Sequence, residues 1–404
     1  MKPITVVGAG FSGLTTAYLL TKAGREVRVV EKTARAGGLI RTNRTEHGLV
    51  ETAANGILNS ARLEAMCADI GVPLLPTRPN GRKRFIFRGK PRQMPLSFAE
   101  ALRIPVGLIG NAAKLRPQPF ETIAAWGARV PGKGATEYLL IPALGGIYAG
   151  DPDRLSASLI FGRANLPDHL QTYRPQKART RGTVAPPNGM QQLIDGLVDY
   201  LRQRGAEINF SETVPFNDSD PTVVCLSASA AAAYLAKASP RLAQELARIE
   251  MLSLVTATCF FRQEAATLKG FGCLFPLDQN FRARGVLFND CIFEGRGPAH
   301  SETWIYGGAL DPDAVNLDDE ELTKTILADR TGFYQQEDRP LAVHIKRWPN
   351  ALPHYSVDLE RTLMKLPNPP SNIALVGNYL GRIGLAKIFE RGAYVVDNVV
   401  KNWD

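Results

Sequence analysis

Cysteine is scarce in this sequence. Cys67, Cys225, Cys259, Cys273 and Cys291 are scattered along 404 residues, with neither the close spacing of a metal site nor the even pairing of a disulfide framework. They read as reduced thiols of a cytoplasmic chain, and no metal is expected. No apolar run reaches the ~18 residues of a spanning helix, which excludes a transmembrane helical class. The first β-branched run starts within a few residues of Met1, so no room for a secretory leader is expected. Internal repeats are lacking, and the one low-complexity tract is the alanine run Ala230 to Ala233. Acids are missing from two long stretches. Residues 78–92, "RPNGRKRFIFRGKPR", hold seven Lys or Arg and no Asp or Glu, and His169 to Ile194 holds Arg174, Lys177, Arg179 and Arg181 without an acid. Within a net charge of +9, these stretches suit a solvated basic surface, an anionic substrate or an anionic membrane surface. They carry no nucleic-acid-binding motif, and nucleic acid is not an expected partner. The remaining composition, 45% hydrophobic and 22% charged, is that of an ordinary globular protein of two or three domains.

What is present is concentrated at the start. "VVGAGFSGLTTAYLLTKAGREVRVVEK" reads as strand, glycine turn, helix, strand. Gly8, Gly10 and Gly13 fit G-x-G-x-x-G: the first for a tight turn, the second for close approach to a pyrophosphate, the third for helix-to-strand packing. The helix N-terminus behind them supplies N–H groups and a positive dipole end. Gly24 ends the helix, Val27 to Val30 is a second buried strand, and Glu31 stands where an acid takes ribose hydroxyls. A second glycine pair, Gly37 and Gly38, followed by an apolar pair, Arg41 and Thr42, turns the chain back beside the same pyrophosphate. No second G-x-G-x-x-G occurs, so no nicotinamide site is expected. The pattern favours tightly held FAD with a small-molecule reoxidant.

Five segments follow from the chain's changes of character. Residues 1–77 open a nucleotide-binding unit, and 78–186 are rich in helix patterns broken by proline and glycine. Within the latter, Ile104 to Ala113 is an apolar patch bracketed by Arg103, Lys114 and Arg116, suited to a core helix or to membrane-surface contact. Residues 187–236 contain an amphipathic helix, with Leu193, Leu197 and Leu201 at helical spacing, and the strand-to-helix stretch "TVVCLSASAAAAYL". Residues 237–363 carry short aromatic and β-branched runs expected of an antiparallel sheet, and 364–404 return as strand, loop and helix. The expected fold is α/β plus α+β. A Rossmann-like FAD domain is assembled from discontinuous segments, with an inserted antiparallel substrate sheet and a helical, membrane-proximal part.

With these stretches side by side, the chain resembles the protoporphyrinogen oxidase family of FAD enzymes, within the flavin amine-oxidase superfamily. "VVGAGFSGL" and "AGGLIRT" are superfamily motifs. "GGIYAGDPDRLS", Gly145 to Ser156, is more diagnostic, and "KGFGCLFP", "RWPNALPHY" and "LVGNYLGRIGLAKIFERGA" fall in family order. The resemblance implies FAD contacts from Gly8, Ala9, Gly10, Phe11, Ser12, Gly13, Glu31, Lys32, Gly38 and Leu39. It places Ala53, Asn55 and Gly56 beside the flavin, Val214 on the strand that holds the adenine, and Trp348 along the isoalloxazine. Asn378, Ile383, Gly384 and Leu385 match the last loop and helix N-terminus at the flavin N1–C2=O edge, where negative charge grows on reduction. For the substrate it implies Arg84 on a propionate, Gly150 against the flat ring, and Leu287 and Ile305 lining the cavity. No protein acid or base is assigned.

The implied reaction is FAD-mediated oxidation of a porphyrinogen by dioxygen in haem biosynthesis, protoporphyrinogen to protoporphyrin with hydrogen peroxide formed. Coproporphyrinogen oxidation is the alternative; amine oxidase, carotenoid desaturase and a non-enzymatic FAD-binding membrane protein lie further off. Peripheral attachment to the inner face of the cytoplasmic membrane and a homodimer stay open. The sequence departs from the family in its shortness, in the missing hairpin within "ETVPFNDSDPTVVCL", in "SVDLER" after "LPHY", and in Arg382 where glycine is common.

Overall fold

Short β-branched runs from distant parts of the chain meet in one sheet. A computed structural model describes residues 2–102, 115–217, 219–381 and 383–403. In it, Glu207–Phe210, Val27–Glu31, Ile4–Val7, Thr222–Val224 and Ile373–Leu375 lie side by side in that order, all parallel. Val6 sits opposite both Val29 and Val223, and Val223 opposite Ala374. Such rows, apolar on both faces, require cover on both sides. One side is covered by the helices Phe11–Lys22, Gln191–Gln203 and Leu385–Asn398, through Leu14, Leu193, Leu197 and Phe389. The other packs Val224 and Leu375 against Leu235 and Leu246 of the helices Ala228–Leu235 and Pro240–Ala247. Leu193, Leu197 and Leu201 are fully buried, and each contributes roughly 1.5–3 kcal/mol. Gly24, at φ +75°, closes the first helix as read from the sequence.

The second body is a seven-stranded sheet in the order Ala342–Pro353, Met251–Phe261, His300–Gly307, Gly285–Phe288, Gly272–Leu274, Arg84–Phe87, Pro91–Arg92. Its one parallel pairing joins Gly272–Leu274 to Arg84–Phe87; the others are antiparallel. Arg84–Phe87 and Pro91–Arg92, within the segment 78–186 that is otherwise rich in helix patterns, are strands of this sheet. Strand alternation along "RKRFIFRGK" sets Phe85 and Phe87 on one face and Arg84 and Ile86 on the other, and both phenylalanines bury in the same apolar cluster as Val255, Trp304 and Phe333. One face of this sheet is closed by the helix Asp319–Tyr334, whose Leu322, Ile326 and Phe333 meet Ala257, Val286 and Trp304. The opposite face stays half-buried.

The bracketed apolar patch, residues 103–114, and Arg382 lie outside the described residues, so the expected membrane-proximal contact rests on nothing described. Among the described residues no helix is long and apolar enough to cross a membrane.

Candidate functional site

The three glycines of the opening loop differ in what requires them. Gly8 takes φ +102°, and a β-carbon there would stand 2.7 Å from the Cys225 carbonyl oxygen. One at Gly13 would fall 1.8 Å from the Gly8 carbonyl oxygen. The protein's own packing demands both. At Gly10 a β-carbon would meet only the Gly38 Cα, at 3.8 Å. Its bare backbone leaves an open cradle rather than filling a contact. Gly37 N–H donates to the Ala9 carbonyl at 2.8 Å, and Gly38, at φ +59°, brings the returning chain against Gly10. Arg35 braces that return, donating to the carbonyls of Ala36, Gly38 and Ile40. No sequence pattern marks Arg35.

Behind the cradle the helix Phe11–Lys22 starts at Gly10 with no side-chain cap and no acid in its first turn. The helix Leu385–Asn398 starts the same way at Gly384, where a β-carbon would meet nothing within 4 Å. Two uncapped helix starts leave orphan N–H donors suited to anionic groups. The helices pack on each other, Phe11 edge-on to Phe389 at 6.5 Å and Gly392 against Thr16. Glu31 ends its strand with the carboxylate fixed by the N–H groups of Ala9 and Thr33, both at 2.9 Å. Lys32 is exposed beside it, and Leu39, 42% exposed, is an uncovered apolar side chain at the lip of the cradle. Phe11 and Ala9 are buried, and Ser12 is half-buried.

Val214 is brought toward this edge, since Ser211 N–H and Glu212 N–H donate to the Thr33 and Glu31 carbonyls. It is not in a strand, as the resemblance implied. Among the described residues the strand Glu207–Phe210 pairs only with Val27–Glu31; its pairing ends at Phe210 opposite Glu31, and Ser211 turns to φ +56°. Val214 lies half-buried in the loop beyond.

The segment Ala53 to Gly56 is tied to the large sheet through one carbonyl. Thr52 O accepts from Trp348 Nε1 at 2.7 Å and from Thr256 Oγ1 at 2.9 Å. Ala53 and Asn55 are half-buried, whereas the space beyond Gly56 is filled by Thr183, Val184 and Phe293. Upstream, Thr42 donates to the buried Glu51 at 2.7 Å, and Glu51 also accepts from Met190 N–H and Arg296. That cluster anchors the glycine return to the start of the helix Gln191–Gln203. Asn378 is half-buried, with its carbonyl accepting from the Tyr355 hydroxyl; Ile383 is half-buried and Gly384 exposed.

The half-buried face of the large sheet collects the expected substrate residues. Ile305 is opposite Thr256 on one side and Gly285 on the other, and Leu287 is opposite Thr303 and Gly272. Gly272 in turn pairs with Arg84, whose guanidinium lies 4.7 Å from the Phe271 ring centre. At the other end Thr256 pairs with Lys346, exposed and 4.8 Å from the Trp348 ring centre. Alternation thus puts Lys346, Trp348, Leu254, Ile305, Leu287 and Arg84 on one face, apolar in the middle and cationic at both ends. Lys346 stands two residues before Trp348 in "HIKRW", the spacing that puts both on one face of a strand. Arg88 is held elsewhere, by both oxygens of Glu100 at 2.7 and 3.1 Å and over the Tyr138 ring. Gly150 is not part of this face. A β-carbon there would strike Leu155 at 2.4 Å and His354 at 3.1 Å, so packing against those side chains accounts for the glycine.

This arrangement has counterparts. Over 98% of its length the chain is 26% identical to a chloroplastic protoporphyrinogen oxidase of Nicotiana tabacum, covering 84% of that protein. It is 23% identical to a coproporphyrinogen III oxidase of Mycobacterium tuberculosis, covering 99% of this chain and 97% of that one. A crystal structure of a provisionally named protoporphyrinogen oxidase from Exiguobacterium superposes with a TM-score of 0.79 at 19% identity, covering 99% of both chains. Residues 11–382 match the flavin containing amine oxidoreductase family. The uncapped helix starts, the open cradle at Gly10 and the fixed Glu31 carboxylate fit the pyrophosphate and ribose of a flavin dinucleotide. The chain belongs to the flavin containing amine oxidoreductase family, an oxidoreductase whose cofactor is FAD.

Proposed function

We propose that this protein dehydrogenates a porphyrinogen to a porphyrin, with protoporphyrinogen as substrate and dioxygen as terminal acceptor. The observation that supports this most is the half-buried face running from Lys346 to Arg84. Its middle, Leu254, Ile305 and Leu287, is apolar, and Arg84 stands exposed at one end. A large molecule that is apolar over most of its area and carboxylated along one edge matches that end of the face. FAD, when bound, supplies the hydride acceptor and returns the electrons to dioxygen as hydrogen peroxide. Gly8 to Gly13 and Glu31 would hold the dinucleotide end, and the backbone N–H groups following Gly384 would stabilise negative charge on the bound flavin. Trp348 is held beside the segment that enters Ala53 by its Nε1 hydrogen bond to Thr52 O. Arg84 orients the substrate through a carboxylate. Each round removes a hydride and a proton, the proton leaving to solvent. Three rounds remove six electrons and reduce three dioxygen molecules to peroxide.

A second reading, coproporphyrinogen as substrate, is favoured by the cations at both ends of the face, which suit a molecule carboxylated on opposite sides. The test is porphyrin fluorescence formed in air by the purified FAD-loaded protein from two-carboxylate and four-carboxylate porphyrinogens. The higher kcat/KM on the two-carboxylate substrate supports protoporphyrinogen; the reverse order selects the second reading; no rate above spontaneous oxidation on either removes both.

A further inference from the structure

The last strand of the large sheet, Pro91–Arg92, adds a cation to the face that carries Arg84. Arg92 is directly opposite Ile86, and residues opposite each other in an antiparallel pair share a face. Ile86 lies on the same side of its strand as Arg84, because Phe85 and Phe87 turn to the apolar cluster on the other side. That side is the face of Leu287 and Ile305. Gly272 is opposite both Arg84 and Leu287, and Leu274 is opposite both Ile86 and Gly285, the partner of Ile305. A tight turn brings Arg92 back to this place: Gly89 takes φ +67°, and Arg88 N–H donates to the Lys90 carbonyl at 3.0 Å. With ~4.8 Å between strands and ~3.4 Å per residue, the Arg84 and Arg92 Cα atoms are roughly 8 Å apart.

Both arginines are exposed, and among the described residues no carboxylate pairs with either. The Arg84 guanidinium lies over the Phe271 ring, and Arg92 donates from Nε to the Arg88 carbonyl at 3.3 Å. Two acids at this end of the sheet are engaged elsewhere. Glu100 takes Arg88 through both oxygens and also the Ser97 N–H, and Asp278 takes the Tyr138 hydroxyl at 2.6 Å. Two planar forks of like charge, side by side at the end of an apolar face, suit two carboxylates carried on neighbouring arms of one molecule. We propose that Arg92 binds a second carboxylate of the substrate beside the one held by Arg84, so that the pair selects a molecule with two carboxylates on one edge; this rests on the porphyrinogen reading above. A molecule with one carboxylate engages only one fork.

The test titrates FAD-loaded wild type, Arg92→Ala, Arg92→Gln, Arg84→Ala and Lys90→Ala with protoporphyrin, its monomethyl ester and its dimethyl ester, following porphyrin fluorescence. Loss of a charge-assisted pair at an exposed rim corresponds to about five- to tenfold weaker binding. Arg92→Ala is expected to show that loss for protoporphyrin, a smaller one for the monoester and none for the dimethyl ester, with FAD content unchanged. Arg92→Gln, which keeps a donor for the Arg88 carbonyl without the charge, is expected to match it. Lys90→Ala, an equal loss of charge two residues away, is expected to stay within about twofold of wild type. Wild-type affinity of Arg92→Ala for protoporphyrin, an equal loss for acid and dimethyl ester, or an equal loss in Lys90→Ala overturns the pairing, while wild-type binding of protoporphyrin keeps the porphyrinogen reading intact. If Arg92→Ala does not fold, Arg92→Gln decides by the same comparison of acid and ester. Failure of the wild type to bind any of the three overturns both.

Discussion

Gly10 and Gly38 face each other across the dinucleotide cradle so closely that a β-carbon on Gly38 would stand 3.2 Å from the Gly10 Cα. A β-carbon on Gly10 would point into the cradle with no closer neighbour than 3.8 Å. Gly10→Ala is therefore expected to fold normally and lose FAD occupancy by about tenfold or more, because the added methyl occupies the space of the pyrophosphate. Gly13→Ala, driven to 1.8 Å from the Gly8 carbonyl, is expected to lower the melting temperature of the apoprotein as well. Flavin absorbance after heat release, beside the apoprotein melting curve, separates the two. Full FAD occupancy in Gly10→Ala counts against the cradle.

Arg84 and Arg88 share a short basic stretch but have opposite settings. Arg88 is pinned by Glu100, and those hydrogen bonds pull the Glu100 carboxyl down to about 2. Arg84 is exposed at the rim of the apolar face. Arg84→Ala is expected to raise the KM for the porphyrinogen about ten- to hundredfold with smaller change in kcat and none in FAD content. Arg88→Ala is expected to lower stability and leave KM within about twofold. Steady-state kinetics of the pair decide, and equal, small KM effects remove the role given to Arg84.

His300, fully buried, bridges Asp290 at 3.0 Å and Glu302 at 3.1 Å, and Glu302 also accepts from Trp304 Nε1 and Arg330. Burial works against its protonation, but the two carboxylates outweigh it and raise the imidazole to about 9. Its folded value exceeds the ordinary 6.5. The stabilisation is thus fully present below pH ~6.5 and lost as pH rises through ~9, on the order of 3 kcal/mol in all. The melting temperature should fall across that window in the wild type, while His300→Gln starts lower and shows a flatter profile. A wild-type melting temperature that rises from pH 6.5 to 9 would contradict the bridge.

Activity should be independent of added NAD or NADP, because one dinucleotide loop is present and the second glycine pair turns back onto the same cradle. Peroxide measured alongside porphyrin should stand at three equivalents per porphyrin. A strict nicotinamide requirement, or porphyrin formed in air without peroxide, would contradict this.

The parts built from local pattern were legible. Leu193, Leu197 and Leu201 face inward from one helix, and the strands at Ile4 and Val27 flank the glycine turn, because a 3.6-residue or two-residue period is written in the neighbours themselves. What depended on distant partners was not. Phe85 and Phe87 give no sign that their strand will run parallel to Gly272–Leu274, and the strand bearing Glu207 stops where its only neighbour stops. Gly150 looked like room for a ligand; only the folded chain reveals Leu155 and His354 in that space.

A porphyrinogen that passes its electrons to FAD in this protein must reduce the flavin without air. Anaerobic mixing of the FAD-loaded protein with a porphyrinogen, followed by flavin absorbance, measures that step. Rapid bleaching of the flavin with porphyrin appearing in step is expected, with no bleaching by a primary amine and return of the oxidised spectrum when air is admitted. A flavin that stays oxidised under the porphyrinogen, or that bleaches with the amine instead, would contradict it.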